Sequence, residues 1–135
     1  MASDLSFEEE LTDFLLDDSR IQSAIRSRIS PLPFPQGSKV PRITYTEVSR
    51  EDGQTQTGPD CLAAHHWELD CWAKTYGDMR ELGELVRKRL NGYDGPMGGY
   101  TRVSFFMVNR QDTFEDESKL HRGILEFIVW YREEL

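Results

Sequence analysis

Two stretches near the end of the chain, YTRVSFFMVNR (100–110) and LHRGILEFIVWYR (120–132), carry large apolar side chains at consecutive positions. Both are rich in β-branched and aromatic residues and read as strands. Neighbouring side chains of a strand point to opposite faces. Leu125, Phe127, Val129 and Tyr131 then share one face, while Ile124, Ile128 and Trp130 share the other with Glu126 and Arg132. Val103, Phe105 and Met107 oppose Phe106 and Val108 in the same way. A sheet with one solvated face alternates cleanly between apolar and polar. This one has apolar groups to bury on both sides. Either helices of the same chain cover both faces, or another copy or partner covers one.

The remaining segments supply few helices for that task. Phe7, Leu11, Phe14 and Leu15 form a helical stripe, with Ser6 and Glu9 spaced as a capping box. A shorter helix restarts after Asp17-Asp18 with Ile21, Ala24 and Ile25. Four prolines in SPLPFPQGSKVP (30–41) remove backbone donors, so this segment is extended and not a central strand. RITYTEVS (42–49) reads as a strand and REDGQTQTGPD (50–60) as a long polar loop. AAHHWELDCWAKTY (63–76) reads as a strand, followed by a helix from Tyr76 to Leu90 with Met79, Leu82, Val86 and Leu90 on its buried side. Glu84 and Lys88 are placed for an i,i+4 pair, Gly92 for a left-handed cap, and GPMGG (95–99) reads as a flexible turn. QDTFEDES is an acidic turn between the last two strands. The order α-α-β-β-α-β-β predicts one α+β domain over 1–135, with a mainly antiparallel sheet and helices packed on it.

The 135 residues suit a single core, and seven Phe, five Tyr and three Trp make it aromatic. A net charge of −8 argues against binding nucleic acid by phosphate neutralisation. No run is apolar enough to cross a bilayer, and no signal-like leader opens the sequence, so a cytoplasmic site of synthesis is expected. Cys61 and Cys71 lack the spacing of a metal or redox motif, and no disulfide is expected.

The histidines of 63–76 raise the question of chemistry. His65, Trp67, Leu69, Cys71 and Ala73 fall on one strand face; His66, Glu68, Asp70 and Trp72 fall on the other. His66, Glu68 and Asp70 form a candidate N/O metal set. Alternate residues lie about 6.5–7 Å apart along a strand, too wide for a ready shared ion. A partly exposed polar face is the preferred reading, with no metal and no cofactor. No nucleophile elbow, zincin helix or phosphate-binding glycine loop is present. No catalytic residues are assigned.

Aromatic and arginine side chains on the second face, namely Trp130, Phe106, Trp72 and Ile128 with Arg102 and Arg132, have the composition of an interface centre. Gln54 and Thr57 of the polar loop, with Phe114, Glu115 and Asp116 of the acidic turn, are candidates for axial or lumen contacts.

The chain also resembles a known family. RISPLPFPQGSKVPRITY, WELDCWAKTYGDMRELGELVRKRLNGYDG and HRGILEFIVWYRE are similar to the tail completion proteins of long-tailed bacteriophages, a group of tail terminators and tail-to-head joining proteins with relatives in gene transfer agents. Pro35-Gln36-Gly37, Pro41, Asp70-Cys71-Trp72-Ala73 and Trp130-Tyr131 carry the similarity. The resemblance implies a structural virion protein, not an enzyme, made in the host cytoplasm and located at the head–tail junction. It implies a ring of six copies that ends the tail tube, with the tail tube protein and a head connector as partners and genome DNA passing through the lumen. No sequence-specific DNA binding and no membrane are expected. The alternatives from the residues alone are a monomeric or dimeric protein-binding domain of a cellular complex and, more remotely, a metal-dependent hydrolase.

Overall fold

The computed structural model describes residues 4–33, 37, 39–50 and 63–131. Helix α1 (Asp4–Leu16) and helix α2 (Ser19–Ile25) are followed by strands β1 (Ile29–Pro31), β2 (Arg42–Arg50) and β3 (Ala63–Ala73). Helix α3 (Tyr76–Leu90) precedes strands β4 (Asp94–Met97), β5 (Tyr100–Glu115) and β6 (Leu120–Tyr131). The strands form one sheet in the order β1-β2-β3-β6-β5-β4, antiparallel except for β1 beside β2. This is the expected α+β architecture with two short edge strands added.

The additions have local causes. β1 ends at Pro31 and lies at the sheet edge, where a missing N–H is tolerated. The glycine-rich turn instead contains β4 and a two-residue hairpin loop, Gly98-Gly99, between the paired Met97 and Tyr100. Gly98 has φ +56, as the first residue of such a tight loop favours. A Cβ there would also strike the Glu10 carboxylate, which accepts a bond from the Gly99 N–H at 3.2 Å.

Helix ends follow sequence chemistry more closely. Asp18 caps α2 by accepting from the N–H groups of Arg20 (2.9 Å) and Ile21 (3.3 Å). Thr75 caps α3 by accepting from the Asp78 N–H at 3.1 Å, and Gly92 follows with φ +84. α1, however, begins at Asp4, so Ser6 lies within the helix and does not head it. Glu84 also departs from expectation. It pairs with Arg87 (3.0 Å) and Arg110 (2.5 Å), because Arg110 reaches across from β5.

Helices α1, α2 and α3 all pack on one sheet face. Phe7 stacks on Tyr131 with centroids 4.0 Å apart and meets Trp67 at 5.4 Å. Ile43, Trp67, Leu69, Phe105, Leu125, Phe127 and Val129 are buried with Leu11, Leu15, Leu82 and Val86. Arg89 locks the helices together, donating to the Phe14 carbonyl at 2.8 and 3.0 Å while lying 3.7 Å from that ring's centroid. Cys71 is a free cysteine in this core, and burial pushes its thiol pKa up.

Candidate functional site

Among the described residues, no helix packs on the opposite face. Phe106 pairs with Ile128 across β5 and β6, and Ser104 pairs with Trp130. On the other side of β6, Ile128 lies opposite His66 and Trp130 opposite Ala64. Phe106 is 61% exposed, while Ile128 and Trp130 are half-buried. Register shifts at Glu47/Ser49 and Met107/Asn109 each leave one extra residue, Val48 and Val108, and both are exposed. Phe106, Val108, Ile128 and Trp130 thus form an apolar patch.

Polar groups rim this patch. His66 approaches Glu126 at 3.5 Å, and the Asn109 amide donates to Glu126 at 3.3 Å. Arg102 pairs with Asp94 at 3.1 Å, and the Ser104 hydroxyl donates to the same carboxylate at 2.8 Å. Those bonds hold the Asp94 carboxyl below its usual range.

Farther along the same face, Arg122 organises a polar cluster. It donates to Asp70 at 2.6 and 3.0 Å and to Glu68 at 3.3 Å, and approaches Glu115 at 3.8 Å. Its guanidinium lies 4.9 Å from the Trp72 ring centroid, and the Trp72 indole donates to the Thr44 hydroxyl at 2.9 Å. Burial pushes the Asp70 carboxyl up to about 7; the Glu68 hydrogen bond adds to the rise and Arg122 opposes it. Two of the three candidate metal ligands, Glu68 and Asp70, therefore already have a cationic partner, whereas His66 faces Glu126. Among the described residues no cluster has the makings of a metal site. His65 lies on the covered face, 2% exposed, bonded to Glu47 at 2.9 Å and stacked on Tyr131.

Strand β5 runs to Glu115, so the acidic turn is confined to residues 116–119. Phe114 and Glu115 are strand residues; only Asp116 belongs to the turn. The wider turn expected over QDTFEDES is corrected by strand pairing that continues to Glu115 and Leu120. Phe114 is 45% exposed and tilts against His121 at 4.9 Å. This hairpin tip borders an open cleft of about 1330 Å³ that also meets Lys39, Val40, Trp72 and Leu120.

Of the expected contact residues, the structure brings Phe106, Ile128 and Trp130 together and sets Arg102 on the rim. Trp72 differs: at 5% exposure it lies beneath Arg122 and has little surface to offer another copy. Its strand parity was readable, but its cover comes from a residue 50 positions later. Arg132, Gln54 and Thr57 lie outside the described residues, as does Cys61. Val48 was missed as an exposed residue, because a one-residue bulge leaves no mark in apolar periodicity, whereas Val108 was already placed with Phe106 on the second face.

Comparison with known proteins agrees with this architecture. The family model for tail completion protein gp17 matches residues 9–132. Among solved structures, a chain of the virion of a native gene transfer agent particle shares the fold, with a TM-score of 0.67 over 90% of each chain at 13% identity. No match is found among curated protein sequences. With a match over most of its length, the chain belongs to the tail completion protein gp17 family and is a structural protein of the virion tail.

Proposed function

We propose that this chain acts without catalysis, as the subunit of a closed ring of six copies that ends the tail tube and joins it to the head connector. The observation that carries this reading is the apolar patch of Phe106, Val108, Ile128 and Trp130, on a sheet face that no helix among the described residues covers. Contiguous apolar surface of this kind, rimmed by polar groups, suits association. A ring uses a heterologous contact that closes by rotation, so the patch meets a different surface of the next copy. Six is the number that the family resemblance implies.

Phe114, Glu115 and Asp116 stand at one end of the sheet, away from the patch, and suit contacts with axial neighbours: the tail tube protein on one side and the connector on the other. The net charge of −8 favours a lumen that repels phosphates, so that DNA slides through without adhering.

Native mass measurement and electron microscopy of the purified chain test the reading. The wild type is expected as a closed ring, and Trp130→Ala as a folded monomer. A wild-type chain that stays monomeric at tens of micromolar (about the range of routine assembly assays) would sink the patch as a ring contact.

A further inference from the structure

We infer that the turn after α2, with Arg26 at its tip, is a basic docking surface for the acidic outer side of α1 on the next copy of this chain. The inference rests on the ring reading and names a further pair of unlike surfaces that a closing head-to-tail contact brings together. Its first support is the backbone of the turn. The Arg28 N–H donates to the Ile25 carbonyl at 2.8 Å, and Arg26 between them has φ +60 and ψ −106. Those angles mark the first central position of a type II′ turn, which glycine occupies by preference. An arginine there strains the backbone and sets an exposed cation on the outside of the fold. Among the described residues its side chain meets no hydrogen-bond or ion-pair partner.

The second support is the charge around that turn. Residues 19–46 hold five basic side chains and no acidic one, in a chain of net charge −8. Arg28 is fixed beside the turn, donating to the carbonyls of Pro41 at 2.8 Å and Ala24 at 3.2 Å, neither of them an anion. Ile29 pairs with Ile43, so Arg42 stands next to Arg28 across the β1–β2 ladder. Burial and then the Arg28 charge push the Arg42 pKa down, as crowded cations do. Arg20 and Lys39 add exposed cations on the adjoining segments.

The complement is carried by the segment just before. Residues 4–18 hold seven acidic side chains and no basic one. Glu9 and Asp13 of α1, with Asp17 just past its end, recur at i,i+4 spacing and form one exposed line of like charge. Asp17 has Arg89 at 3.8 Å; among the described residues Glu9 and Asp13 have no cationic partner. A single chain thus leaves an acidic and a basic surface unneutralised side by side. A neighbour rotated about the ring axis can present one to the other, and every copy then gives one surface and receives the second.

Native mass measurement and thermal melting of charge variants of the full chain test it. Arg26→Gly relieves the turn, so the monomer should melt at or above the wild-type temperature while the concentration for half-assembly rises about tenfold. Arg26→Glu and Asp13→Arg should each raise that concentration further, and the double variant should recover most of the loss. Rings should also loosen as salt rises. A destabilised Arg26→Gly monomer, or a wild-type ring indifferent to both reversals, overturns the inference and leaves the ring reading standing. A double variant no better than either single one removes α1 as the occupant, which overturns it too. So do reversals that keep the ring but abolish retention of the chain on duplex DNA, since they assign the turn to nucleic acid. A wild-type chain that stays monomeric sinks the ring reading, and this contact with it.

Discussion

Phe127 and Ile128 are neighbours in β6, yet they belong to different surfaces. Phe127 is fully buried, edge-on to Phe105 at 6.0 Å beneath the helices; Ile128 sits half-buried beside Phe106 on the face away from α1, α2 and α3. Their hydrophobicity is similar and their backbone environment is shared. What differs is which side received the three helices. An apolar residue in a strand therefore reports that its face gets covered, not what covers it.

Substitution on the two faces should separate packing from association. Phe127→Ala removes a ring from the closed core and should cost about 3–5 kcal/mol in denaturant unfolding, with any loss of assembly following from unfolding. Ile128→Ala, one residue away, should cost the monomer about 1 kcal/mol or less, since much of its side chain is already in water. Its larger effect should be on oligomer mass. Equal losses of monomer stability at both positions would erase the distinction between the faces.

The smallest effect sharpens the contrast on the covered side, where an ion pair crosses from β5 to α3. Hydrogen bonds from Arg87 and Arg110 hold the Glu84 carboxyl at about 2. A depressed carboxyl stabilises the fold above its unfolded pKa and loses that contribution as pH falls toward 2. Glu84 is 40% exposed, so Glu84→Gln should change stability by less than about 1 kcal/mol at neutral pH and flatten the acid limb of the stability curve. An unchanged acid limb would mean that solvent screens the pair fully.

Much of the fold was legible because its signals are local. The periods of Phe7-Leu11-Leu15 and Met79-Leu82-Val86, the helix restart after Asp17-Asp18, and the alternation along β3 each lie within a dozen residues. The apolar patch was legible in part, from alternation in β5 and β6. The bulges were not. The extra residue at Val108 shifts the parity of β5, so that Arg110 and Asp112 turn to the helix side and meet Glu84 and Arg80. Strict alternation from Phe105 and Met107 would have placed Asn109 and Gln111 there.

By itself the sequence determined that one sheet carries apolar side chains on both faces, since period-two geometry allows no other arrangement of residues 124–131. It also made Asp70 and Glu68 neighbours on one face. Tertiary structure alone decided that α1, α2 and α3 all pack on the opposite face, and that Arg122, some 50 residues away in the chain, covers Trp72 and serves both acids. These outcomes depend on contacts between distant segments, and burial and charge pairing are properties of that assembled neighbourhood.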